Sequence, residues 1–78
     1  MTNLEKYRQA FAEAFEVQPE ETDAFVMGET EAWDSIGHMS LVASLEDAFG
    51  FELEPQEILA ITSFEAGKKV LENKGIQF

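Results

Sequence analysis

Cysteine is absent from this 78-residue chain, which removes disulfide staples, thiolate metal sites and cysteine nucleophiles together. Any thiol chemistry has to arrive on a cofactor. Basic residues are scarce, five against sixteen acidic ones, and the formal charge of −11 repels phosphate backbones and favours proteins with basic patches. Nucleic acid is therefore excluded as a natural partner. No apolar run approaches the ~18 to 20 residues that span a bilayer, and Met1-Thr2-Asn3-Leu4-Glu5-Lys6 lacks the basic-then-apolar order of a secretory signal. A soluble, cytoplasmic monomer without a membrane span is expected. At this length the chain forms one domain over residues 1–78, near the lower limit at which a core holds a fold without covalent or metal support.

What is present is helical periodicity. Leu4, Tyr7, Phe11, Ala14 and Phe15 recur at spacings of three and four and fall in one stripe at about 100° per residue, predicting a first helix. Glu16 to Ala32 carries Pro19, much acid and the apolar cluster Ala24-Phe25-Val26-Met27, so it reads as a long loop pinned by an apolar plug. Structureless loops beyond ~12 to 15 residues are uncommon in compact domains and often functional. A second helix is predicted over Ser35 to Phe49, with Asp34 as N-cap and Gly50 in the left-handed position past its end. Phe51, Leu53 and Pro55 lead into a short third helix or turn with Ile58, Leu59 and Ile61. The run Thr62-Ser63-Phe64-Glu65 fits a capping box with Thr62 at the cap, opening a last helix that buries Phe64, Gly67 and Leu71, with Val70 flanking. Alternating strand patterns and internal repeats are missing. The fold class expected is all-α, a three-to-four-helix bundle with a long first loop and a short third helix.

With Asp34 occupying an orphan backbone N–H, Ser35 falls at the first helical position with its hydroxyl free. An anion joined to that hydroxyl sits at the positive end of a helix, an arrangement worth about 0.3 to 1 kcal/mol. The wider pattern, from the plug at Phe25 through Asp34-Ser35-Ile36, the apolar helix with Leu41, Val42 and Leu45, the close Phe49-Gly50-Phe51 and Ile61-Thr62-Ser63-Phe64, resembles the phosphopantetheine-attachment region of acyl carrier proteins. The resemblance implies a helical carrier whose Ser35 takes a covalent 4′-phosphopantetheine from coenzyme A. A phosphopantetheinyl transferase makes the attachment, with Mg²⁺ held mainly in the transferase. Acyl or aminoacyl groups then ride as thioesters, for lipid, polyketide or related biosynthesis. The family's fatty-acid-synthesis members often carry Leu-Gly before the Asp-Ser pair and more acid early in the second helix. Ala32-Trp33 and Gly37-His38 stand at those places here, which is closer to stand-alone carriers of specialised pathways.

A serine nucleophile would need a base, an orienting group and an oxyanion site. The chain offers one histidine, His38, one turn past Ser35, and no Gly-x-Ser-x-Gly elbow, so a carrier and substrate of enzymes is expected rather than an enzyme. Glu29, Glu31 and Asp34 lack the spacing of a calcium loop, and no metal site is expected. On the second helix, Leu41, Val42, Leu45, Ala48 and Phe49 lie between about 120° and 240° from Ile36 and form the core face. Ile36 and Met39 point elsewhere, with Glu46 and Asp47 along the same side, which marks a surface where loading and transferring enzymes with basic docking faces would bind. Phe25, Leu45 and Ile61 are the residues the resemblance offers as an acyl pocket. The competing reading is an acidic helical interaction module that uses the same face without a cofactor.

Overall fold

A computed structural model describes residues 2–78 of the chain. Helix α1 (Asn3–Phe15) starts where the Thr2 hydroxyl accepts the Glu5 N–H at 3.1 Å and the Glu5 carboxylate accepts the Thr2 N–H at 2.8 Å. Tyr7, Ala10, Phe11 and Phe15 are buried along it, while Leu4 and Ala14 pack at the edge of the core. Its end is closed by Glu16 in the left-handed conformation (φ 56°). Helix α2 (Ser35–Phe49), the short α3 (Pro55–Ala60) and α4 (Phe64–Asn73) complete an all-α globule of 30 × 28 × 18 Å. Among the described residues no helix is long and apolar enough to cross a membrane.

The long first connection is more ordered than its sequence implies. Pro19–Ala24 forms a 3-10 helix, with Pro19 supplying the preset φ of the first turn. Phe25 and Val26 are half-buried, and the backbone does the anchoring: Met27 N–H donates to the Thr62 carbonyl and Phe64 N–H to the Phe25 carbonyl, both at 2.9 Å, framing an isolated antiparallel bridge between Val26 and Ser63. That pairing holds the chain extended up to Ser63. The cap of α4 is consequently Ser63, whose hydroxyl accepts the Ala66 N–H at 2.9 Å, and not Thr62 as the capping-box pattern predicts. Phe64, Gly67 and Leu71 are buried as expected.

Aromatic rings fill much of the centre. Phe11 sits 4.9 Å from Tyr7, 5.2 Å from Phe64 and 5.5 Å from Trp33 between ring centroids, mostly edge to face, a geometry worth about 0.5 to 1.5 kcal/mol per pair beyond burial. On α2, Leu41, Val42 and Leu45 are buried. Ala48 is exposed, while Phe49 is half-buried, packed at the edge of the core and stacked on Phe51 at 5.9 Å.

Candidate functional site

Three local features place the start of α2. Asp34, in extended conformation, accepts the Gly37 N–H at 2.8 Å through its carboxylate and so caps the helix. Gly37 is buried because the helix start lies directly on the preceding chain: a Cβ there would stand 2.7 Å from the Ala32 carbonyl and 2.9 Å from the Phe15 ring. Trp33, only 3 % exposed, packs on Phe15 at 5.2 Å between centroids and pins the loop at its last residue. Ser35 follows as the first residue of α2, exposed, with no hydrogen bond to its hydroxyl among the described residues. The cap duty belongs to Asp34, and the Ser35 Oγ is left for other chemistry.

Ser35 stands on the rim of a cleft of about 460 Å³ lined by Met27, Gly28, Trp33, Asp34, His38, Met39, Ile58 and Leu59. Apart from Asp34, Ser35 and His38 the lining side chains are apolar. α3 supplies the far wall. Its start is fixed by Glu57, whose carboxylate accepts the Glu54 N–H at 2.8 Å and pairs with Lys74 at 3.0 Å. The Glu54 N–H and then the Lys74 ammonium hold Glu57 below the usual carboxylate range. None of the α3 side chains is fully buried, and Leu59 is 75 % exposed.

The residues expected to form an acyl pocket lie elsewhere. Leu45 and Ile61 are fully buried in the packed core, and Phe25 is half-buried against Phe15 at 5.7 Å. None of the three lines the cleft, which lies outside the packed core, between the first turn of α2, α3 and the Met27-Gly28 turn. The apolar lining comes instead from Met27, Met39, Ile58 and Leu59, of which Met27 and Leu59 carry no distinctive signal in the sequence beyond apolar character in or next to a loop.

The expected docking residues divide. Ile36 is 79 % and Met39 56 % exposed, flanking Ser35 as predicted by helical rotation. Asp47 is exposed and borders a groove shared with Lys6, Gln9 and Glu13 of α1. Glu46 differs: it is half-buried, and its carboxylate accepts the Leu53 N–H at 2.8 Å. It ties the end of α2 to the chain that follows, which gives Glu46 a structural duty that Asp47 does not have. His38 is half-buried, and both its ring nitrogens are engaged, Nδ1 with Trp33 Nε1 at 3.0 Å and Nε2 with the Ile58 carbonyl at 2.9 Å. Among the described residues no group of three or more acidic or histidine side chains is arranged to hold a metal ion.

Compared with the sequence profiles of known protein families the chain matches none, and no curated protein is similar to it at a significant level.

Proposed function

We propose that this protein is a carrier that presents acyl or aminoacyl groups on a 4′-phosphopantetheine arm joined to Ser35. The observation that carries this reading is the pairing of an exposed, unengaged hydroxyl at the first residue of a capped helix with an apolar cleft beside it. The residues suit the group. Ser35 offers the nucleophilic oxygen, the start of α2 favours the negative phosphodiester by about 0.3 to 1 kcal/mol, and Met27, Met39 and Leu59 offer apolar contact to whatever the arm holds. When attached, the arm supplies the thiol that a cysteine-free chain lacks, and cargo is held on it as a thioester.

In the attachment step the Ser35 oxygen forms a bond to the pantetheine-side phosphorus of coenzyme A. The phosphoanhydride bond breaks, 3′-phosphoadenosine 5′-phosphate leaves, and the serine proton passes to a base on the phosphopantetheinyl transferase. Asp34 is held by the Gly37 N–H and orients the helix start throughout. The protein is then a substrate of enzymes and not itself a catalyst. Partners are the transferase and the enzymes that load and unload the arm, approaching over Ile36 and Met39. Lipid, polyketide or related biosynthesis is the chemical setting, and a cytoplasmic location follows from the need for coenzyme A.

The test is intact mass after incubation with coenzyme A, Mg²⁺ and a permissive transferase. One phosphopantetheine is expected on the parent and none on Ser35→Ala. No addition with several transferases, or addition at Ser40, Ser44 or Ser63, removes the carrier reading. A second reading, an acidic interaction module without cofactor, draws on the same exposed Ile36 and is the one left standing by that result.

A further inference from the structure

His38 breaks the apolar pattern of α2 in a telling place. Counted at about 100° per residue from Ile36, it falls near 200°, inside the stripe that carries Leu41, Val42 and Leu45 into the core. An imidazole there is tolerated when its polar atoms are paired. Both are, and the donors fix the tautomer: the indole N–H of Trp33 can only donate, so His38 Nδ1 accepts and Nε2–H donates to the Ile58 carbonyl. The ring also lies nearly parallel to Trp33, 22° between planes at 6.1 Å. A continuous chain of Trp33, His38 and Ile58 therefore runs from the loop, across the first turn of α2, to α3.

All three residues line the cleft on whose rim Ser35 stands, while Leu45 and Ile61 of the core do not. α3 has no fully buried side chain, so its position against α2 depends on few ties, of which the His38 bond is the one nearest Ser35. Resting on the carrier reading, we infer that the Trp33–His38–Ile58 chain is a stop that sets cargo length. A chain held on Ser35 lies against Met27, Met39 and Leu59 and ends at the His38 ring. Passing further, between α2 and α3 into the core, requires breaking both hydrogen bonds and moving α3. The carrier is accordingly matched to short and medium acyl or aminoacyl groups, and His38 is a specificity-determining residue.

The experiment loads the parent and His38→Ala with butyl, octyl and dodecyl thioethers of phosphopantetheine from the matching alkyl coenzyme A analogues. It follows melting temperature and the emission of Trp33, the only tryptophan. In the parent, stabilisation stops growing beyond octyl. In His38→Ala it continues to dodecyl, with a Trp33 emission change. A residue that only supports the fold lowers the melting temperature equally at every chain length, and that outcome overturns the inference, as does a parent that goes on gaining from octyl to dodecyl. His38→Gln, which keeps a donor and an acceptor, should restore the parent profile, and His38→Val, which removes the ring and both hydrogen bonds but keeps an apolar side chain in the stripe, should show the same continued gain to dodecyl if the alanine variant is unfolded by circular dichroism. Failure of the mass gain itself strikes the carrier reading alone. The stop is then read with free S-octyl and S-dodecyl pantetheine titrated against Trp33 emission: the dodecyl-to-octyl affinity ratio should be near one in the parent and at least about tenfold higher in His38→Ala, since each newly buried CH₂ is worth a factor of about four. Equal ratios in the two proteins overturn the stop.

Discussion

The Tyr7 hydroxyl donates to the Phe64 carbonyl at 2.6 Å across 57 positions of sequence, fully buried. It joins the middle of α1 to the first residue of α4, and Gly67 is the space that admits it. A Cβ on Gly67 would overlap the Tyr7 Oη and stand 3.2 Å from the Ile61 Cγ2. Tyr7→Phe should lose about 1 kcal/mol, the usual net value of a buried hydrogen bond. Gly67→Ala should cost about 1 to 3 kcal/mol as overpacking, larger than the roughly 1 kcal/mol a helix gains on exchanging Gly for Ala. Combined, the two changes should destabilise less than their sum, because removing the hydroxyl makes room for the methyl. Urea titration of the four proteins measures this, and strict additivity would contradict the stated contact.

Burial pushes the Tyr7 phenol well above its ordinary value, and the Glu65 charge adds to the shift. The unfolded chain releases this proton near the ordinary tyrosine pKa of about 10 while the folded one keeps it. Stability from this group is therefore complete below pH ~10 and falls as pH rises above it. With a single tyrosine in the sequence, phenolate absorbance should appear only together with unfolding in the parent. A phenolate signal at pH ~10 in a chain still helical by circular dichroism would show that Tyr7 is accessible.

Asp34 and Ser35 are neighbours with separable duties. Asp34→Ala removes the acceptor of the Gly37 N–H and should cost about 0.5 to 2 kcal/mol, whereas Ser35→Ala should change stability by less than about 0.5 kcal/mol. Thermal melts of the two variants decide it. A larger loss at Ser35 would make the hydroxyl the cap and unfit it for modification.

Residues governed by local rules were legible in the sequence. Asp34 caps, Ser35 opens α2 and Gly50 takes the left-handed position with φ 70°, because each follows from its immediate neighbours. The cap of α4 shifted to Ser63 because a long-range bridge to Val26 overrode a local pattern. The 3-10 helix at Pro19–Ala24 escaped for a different reason: its six residues bury only Thr22 and carry no large apolar side chain to mark a face. The cleft was the least legible part. Met27, Ile58 and Leu59 meet only through tertiary placement, and the two hydrogen bonds of His38, to Trp33 and to the Ile58 carbonyl, do not follow from its place one turn past Ser35.

Glu46 and Asp47, adjacent in sequence, should respond to charge reversal in different ways. Glu46→Lys removes the acceptor of the Leu53 N–H and should lose about 1 to 3 kcal/mol, the cost of leaving a shielded donor unpaired. Asp47→Lys should leave stability within about 0.5 kcal/mol. Its effect should appear in association. With a formal charge of −11 the chain attracts basic surfaces over distances set by salt, so Asp47→Lys should slow transferase encounter at low ionic strength and much less at physiological salt. Ile36→Ala and Met39→Ala, at residues 79 % and 56 % exposed, should leave folding intact and raise the dissociation rate of the docked complex at either salt, because they remove contact area and not charge. Transferase kcat/KM for each variant at two ionic strengths, with circular dichroism as the folding control, separates the cases. Variants at Ile36, Met39 and Asp47 that are modified as fast as the parent at low salt would move recognition to the loop before Trp33.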